Sequence, residues 1–286
     1  MAMKKKTKGN ITAPSLPGKD MLAEVNNNAA GNIYNSLFAK NRKVEYDNKD
    51  IALVNIRTNP DNQIFRAMDD DDDIRILAED IKRNGLMHNL VVFPEQEEGS
   101  TVYVLLSGER RFRALNYLQE KGDATWNIVN CNVVTTPLTE NEKKVLLYSA
   151  NLQVRGGFSD EAIRRQAIAE FITCLQREPY NMSREEALNA TKSVSTVNPR
   201  TIERDARIEE KLKGKLKTLL NDKFLTRSEC ETYLRFEEDK QDEIANRFEK
   251  LQAVDCHSDD AESAGKNYVE VLRDTLHDAF RELLYD

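Results

Sequence analysis

The apolar positions of the first half of this chain change period several times. Ile51-Ala-Leu-Val-Asn-Ile56 is a short strand-like run, followed by the turn cluster Asn59-Pro-Asp-Asn62. Ile74, Leu77, Ala78 and Ile81 recur at helical spacing and predict a helix over Ile74–Asn84. The aspartate run Asp69–Asp73 caps its start and suits the helix dipole, and Gly85 ends it. Leu90–Phe93 and Val102–Leu106 read as strands around a polar hairpin loop, Pro94–Ser100. A helix over Gly108–Glu120, a strand over Ile128–Val134 and a helix over Thr139–Gln153 complete a mixed unit.

From Phe158 onward the strand signals stop. Helices are predicted at 160–177, 184–191, 199–212, 216–221, 226–234 and 241–250. Residues 253–266 are polar and turn-rich, so they read as a linker. Tyr268–Leu284 carries an apolar stripe that must bury against its own domain or against a partner. The expected organisation is a basic, disordered arm (1–49), an α+β domain (50–157), a helical domain (158–252), the linker (253–266) and a C-terminal amphipathic helix (267–286).

Composition narrows the class. The chain of 286 residues is 32% charged and carries a formal net charge of −7. No run approaches the roughly 18 consecutive apolar residues of a membrane helix, and no apolar run follows the basic start, so a cytoplasmic protein without membrane contact is expected. Cys131, Cys174, Cys230 and Cys256 form no CxxC pair, which disfavours a zinc site and suits reduced thiols. The acidic balance argues against a uniformly basic nucleic-acid binder but leaves room for a local basic face.

Two segments carry candidate chemistry. Ser107-Gly-Glu-Arg-Arg-Phe-Arg-Ala114 follows a strand and opens a helix. Glycine permits a sharp turn, helix N–H groups attract anions, and guanidinium groups fork onto phosphate. The competing reading is a solvated helix start with pairs such as Glu109–Arg113. Farther on, Ser183-Arg-Glu-Glu186 has capping-box spacing, and Pro199 opens a helix after a Ser/Thr/Asn-rich turn. Arg200, Arg204 and Arg207 fall on one face, with Ile202 and Ala206 on another. With Asn198 and Thr201, that face suits entry into a DNA major groove. A charged surface helix pairing its arginines with nearby acids is the alternative.

In this order the segments resemble ParB-type partition proteins. The resemblance runs from Asn59-Pro through Leu77–Leu86 and Leu90-Val-Val to Gly108-Glu-Arg-Arg-Phe-Arg-Ala114, which matches the family's GERRxRA box. Asn151-Leu-Gln-Val-Arg155 resembles its ENLQR box. The resemblance implies an α+β ParB/sulfiredoxin-like domain followed by an all-α helix-turn-helix domain and a C-terminal helix. It further implies CTP and Mg²⁺ as ligands, with Gly108, Glu109, Arg110 and Arg111 at the phosphates and Asn151 and Arg155 as second-box contacts, Asn151 near the metal. DNA is the implied partner, through Asn198, Arg200, Thr201, Arg204 and Arg207. A homodimer, a ParA-like ATPase partner met by the arm at Lys4–Lys8, and nucleoid or plasmid association are implied by analogy.

The sequence departs from this pattern where Ala150 replaces the second-box glutamate and Val154 intervenes before Arg155. A lost carboxylate removes a hard oxygen ligand for Mg²⁺, so any CTPase activity is expected to be weakened or lost. Competing functions are a nucleotide-independent transcriptional regulator on the same scaffold and a ParB-like nuclease. Leu86-Met-His-Asn-Leu90 also lacks the family's Gln-Pro.

Overall fold

The computed structural model describes residues 44–66, 70–154, 158 and 160–255, with no side-chain description for 154 and 247–255. Strands β1 (Tyr46–Ala52), β2 (Ile56–Arg57), β3 (Leu90–Glu97), β4 (Ser100–Ser107) and β5 (Ile128–Val134) form one mixed sheet in the order β1-β5-β3-β4-β2. β1 pairs with β5, and β3 with β4, in antiparallel fashion; β3 with β5, and β2 with β4, run parallel.

Helices α1 (Gln63–Arg66), α2 (Asp71–Asn84), α3 (Glu109–Glu120) and α4 (Glu140–Val154) belong to this half. Helices α5 (Glu161–Gln176), α6 (Arg184–Val194), α7 (Pro199–Lys211), α8 (Gly214–Asn221), α9 (Arg227–Tyr233) and α10 (Glu238–Asp255) follow. The mixed α+β architecture expected from the periodicity is thus present.

Each predicted boundary that moves has a local cause. The chain enters the sheet before residue 49, the expected end of the arm. Val44 is buried and Glu45 bonds Thr135 and Thr136, so the polar run Tyr46–Asp50 is an edge strand. Its exposed residues show no alternation, which hides it from a periodicity reading. The expected hairpin loop 94–100 shrinks to Glu98-Gly99, both with positive φ, the geometry of a tight two-residue hairpin turn. Pro94 is tolerated inside β3 because β5 accompanies that strand only as far as Val92.

One face of the sheet is covered by α2 and α3 around Ile74, Leu90, Leu105 and Leu115. The other face shares a single core with the helices on both sides of residue 157: Phe93, Val104 and Leu106 cluster with Leu146 of α4, Phe171 of α5 and Ile202 of α7. The expected domain boundary at 157/158 is therefore not a break in packing. A third core, built on Ile208, Leu216, Cys230, Tyr233 and Ile244, joins α7 to α8, α9 and α10. The arm through residue 43, the linker beyond Asp255 and the predicted C-terminal helix lie outside the described residues.

Candidate phosphate turn and candidate DNA-facing helix

Strand β4 ends at Ser107, and Gly108 turns the chain into α3 with φ 102° and ψ 23°. Only glycine holds this left-handed conformation at no steric cost. A Cβ here would also lie 2.8 Å from Leu90 Cδ2. As the N-cap residue, Gly108 places no side chain over the first N–H groups of α3, which keep their partial positive charge.

The side chains after Gly108 divide between two tasks. Glu109 is buried at 6% exposure; its carboxylate accepts from Asn62 Nδ2 at 3.0 Å and from Arg66 Nε. Asn62 Oδ1 in turn accepts from Asn151 Nδ2 at 3.2 Å. One polar chain therefore ties α1, the Gly108 turn and the second-box asparagine on α4. Arg111 donates to the His88 and Asn89 carbonyls, the latter at 2.9 Å, and fastens the loop after α2. Burial lowers its guanidinium from the usual value. Arg110 remains 46% exposed and lies 3.7 Å from Asp73.

The Glu109–Arg113 pair of the competing reading does not form. Glu109 turns inward to Asn62, and Arg113 Nη2 instead meets Asp71 Oδ1 at 2.9 Å. The aspartate run thus has two tasks. Asp70 caps α2 by accepting from Asp72 N, while Asp71 and Asp73 face the arginines of α3. The loop pair His88 and Asn89 also separates: His88 is exposed, whereas Asn89 Nδ2 donates to Asn130 Oδ1 at 2.7 Å.

Of the sequence-predicted residues, Gly108, Glu109, Arg110, Arg111 and Asn151 gather here; Arg155 lies outside the described residues. Ala150 is buried in α4. Asn62 and Arg66 were not anticipated: Asn62 sits in a turn cluster, and its contact with Glu109 spans 47 positions of sequence. Among the described residues, no group of three or more His, Cys, Asp or Glu is arranged to hold a metal ion. No helix among them is long and apolar enough to cross a membrane.

The second surface lies on α7. Asn198 caps the helix, its Oδ1 accepting from Arg200 N at 2.9 Å, and Pro199 occupies the first turn. Ile202, Ala206 and Ile208 are buried, which turns Arg200, Arg204 and Arg207 outward. The three arginines line a groove of about 800 Å³. Arg200 is exposed and Thr201 half-buried. Arg204 is held by Glu231 of α9 through two bonds, Nε to Oε1 at 2.8 Å and Nη2 to Oε2 at 2.6 Å. Arg207 Nη2 reaches Glu231 Oε1 at 2.6 Å. These arginines hold the Glu231 carboxyl below its usual range and are not independent surface charges.

Behind α7 the charges are buried. Asp205, at 0% exposure, accepts from Arg164 Nε at 2.7 Å and faces Arg227 at 3.6 Å. Arg165 contacts Asn221 at 2.7 Å and Glu209 at 3.4 Å, and Lys217 also pairs with Glu209. Lys217 is thereby drawn toward the body of the helical half. Glu231 and this inner network were invisible in sequence, because their partners lie on separate helices.

Residues 37–142 match the family model of the ParB N-terminal domain. No curated protein matches the chain. Among solved structures, the C-terminally truncated chromosome-partitioning protein ParB from Caulobacter crescentus complexed with CTP-gamma-S is 17% identical, with TM-score 0.31 over 70% of this chain and 97% of that chain. The same protein complexed to the centromeric parS site gives 15% and 0.27 over 81% and 97%. The Pnob8-like ParB N-domain gives 13% and 0.46 over 85% and 91%. The Gly108 turn lies inside the matched residues 37–142.

Proposed function

We propose that this protein is a ParB-type DNA-binding protein serving partition or maintenance of a replicon, with CTP taken up by its phosphates at the Gly108 turn and duplex DNA read by α7 in a helix-turn-helix formed with α6. The observation that carries the reading is the side-chain-free N-cap at Gly108, inside the matched ParB N-terminal domain. Uncapped N–H groups at a helix start and a half-exposed guanidinium are what a triphosphate requires.

The residues at the turn fit the nucleotide better than the metal. Arg110 and the first N–H groups of α3 suit phosphate oxygens. Glu109 is committed to Asn62 and Arg66, and Ala150 supplies no carboxylate. Mg²⁺, where bound, would neutralise phosphate charge and rest chiefly on the phosphates, with Asn151 beside it. No hydrolytic step is assigned to these side chains. On α7, Arg200 and Thr201 lie at the helix start, where a recognition helix meets base edges. A homodimer and a ParA-like partner at Lys4–Lys8 belong to the same proposal.

The test is CTP binding by calorimetry, with and without duplex DNA. Wild-type protein is expected to bind CTP, and Arg110→Ala to weaken it about tenfold, the effect of losing one charge-assisted bond. Arg110 is the clean probe, because removing Arg111 also releases the loop at His88. Unchanged CTP affinity in Arg110→Ala overturns the phosphate assignment. Ala150 favours a second reading, a regulator that ignores nucleotide; tight DNA binding with no CTP uptake would select it.

A further inference from the structure

Glu231 belongs to α9, outside both helices of the proposed DNA-reading unit, yet it pairs with two arginines of the α7 groove. It grips Arg204 by one edge of the guanidinium, Nε and Nη2. Nη1 makes neither of these bonds. A planar fork fixed on one edge still presents Nη1 and the outer hydrogen of Nη2 as a second donor pair, the pair that suits the O6 and N7 acceptors of guanine. The same carboxylate also takes Arg207 at 2.6 Å, so one negative charge serves two positive ones and the groove keeps a positive excess there.

The pairs are also supported from behind. α9 starts with a full capping box, in which Thr226 Oγ1 accepts from Glu229 N and the Glu229 carboxylate accepts from Thr226 N. Cys230 and Tyr233, which flank Glu231, are fully buried in the third core. Arg227 at the start of α9 meets Glu161 at 2.9 Å and faces Asp205 of α7. Glu231 thus stands on a helix locked to α7 by core packing and by charge. A long, rotamer-rich arginine loses much of its freedom before DNA arrives, which lowers the entropy cost of a base contact.

We infer that Glu231 is a positioning residue for DNA reading: it holds Arg204 so that its free edge faces a guanine, and it sets sequence discrimination rather than overall affinity. This rests on α7 being the reading helix. The opposite role, a carboxylate that merely competes with DNA phosphates, predicts a different outcome.

The experiment selects a duplex from a random-sequence pool with the full-length wild-type protein, then measures binding to that duplex and to a shuffled one. Glu231→Gln is expected to bind the selected duplex on the order of tenfold more weakly, the lower range for one bidentate base contact. Its binding to the shuffled duplex should be unchanged or slightly tighter, so the specificity ratio falls. Reselection with Glu231→Gln should lose a guanine from the preferred site. A matched melting temperature shows that the variant folds. Glu231→Gln that keeps the wild-type ratio while Arg204→Ala loses it overturns the inference, as does a gain of equal size on both duplexes. If Arg200→Ala and Arg204→Ala both bind the selected duplex as wild type does, α7 is not the reading helix, and the functional reading itself fails.

Discussion

The Gly108 turn and the α7 groove both set arginines along the start of a helix, but their partners differ in kind. At the turn, Arg111 gives its donors to two backbone carbonyls, and the neighbouring Glu109 is sealed among Asn62 and Arg66. In the groove, Arg204 and Arg207 meet a side-chain carboxylate that is itself 23% exposed. A carbonyl of the folded chain takes up the donors it receives, whereas a side-chain carboxylate that grips one edge of a guanidinium leaves the outer edge to be shared with a phosphate or base. An arginine-rich helix start is therefore not one kind of site: the partner decides whether a guanidinium is part of the frame or part of the reading surface.

The deepest ionic group marks the limit of this contrast. Asp205 is on α7 but points away from the groove, fully buried between Arg164 and Arg227. Removing one partner of a buried pair leaves an uncompensated charge, which costs about 3–5 kcal/mol. Asp205→Ala should lower unfolding free energy in urea by about 3 kcal/mol, the lower part of that range because Glu161 still lies 3.6 Å from Arg164. A loss below ~1 kcal/mol would show that the helical half does not depend on its inner charges.

The next largest effect separates conformation from contact at two glycines. Gly122 has φ 88° with open space where a Cβ would stand, whereas Gly108 combines φ 102° with Leu90 at 2.8 Å. Gly122→Ala should cost roughly 1 kcal/mol from backbone strain alone. Gly108→Ala should cost about 2–4 kcal/mol, because overpacking against Leu90 adds to that strain. Equal losses would mean that Leu90 yields and that the turn is less tightly built than its geometry indicates.

Much of this frame was legible in sequence, and the illegible part has a physical pattern. α2, α3, β5 and the helices from Glu161 to Tyr233 follow from period and capping, both local signals: Gly85, Asp160, Ser183, Asn198 and Thr226 mark helix ends that the structure keeps. Gly108 was legible as a turn because a glycine between an apolar strand and a helical run has few other uses. What sequence hid is pairing across distance. The competing reading paired Glu109 with Arg113 four residues on, yet Glu109 meets Asn62, because burial against the Asn62 turn and α1 offers two donors where the helix surface offered one. Arg204 likewise had nearby acids such as Glu203 and chose Glu231, which is reached only once α9 is docked. Edge strand β1 was hidden for the opposite reason: its outer residues are exposed and leave no apolar alternation.

Glu109 provides a smaller test of the frame. Glu109→Ala removes the acceptor of Asn62 Nδ2 and Arg66 Nε and leaves a buried amide without it, worth about 1–3 kcal/mol. Loss of the link should also loosen Asn62 from Asn151, which faster amide exchange in α1 and the turn before it would register. Stability unchanged within ~0.5 kcal/mol would place Glu109 outside the frame and return its carboxylate to the ligand side.

The smallest expected difference bears most directly on the contrast between the two arginines. Arg111→Ala strips two backbone carbonyls of their donor and unfastens the loop at His88 and Asn89, so it should cost about 1–3 kcal/mol. Arg204→Ala breaks a bidentate pair, but at 39% exposure for the arginine and 23% for its partner, water and salt take over most of that interaction. Its cost should be only about 0–1 kcal/mol. Chemical denaturation of the two variants side by side, at low and at high salt, measures the difference. Raising the salt should shrink the Arg204 effect and largely leave the Arg111 effect in place, because screening weakens a pair of opposite charges more than a hydrogen bond to a neutral carbonyl. Equal losses that fall together with salt would make Arg111 a surface charge like Arg204, free to turn toward a ligand, and would dissolve the division between frame and reading surface.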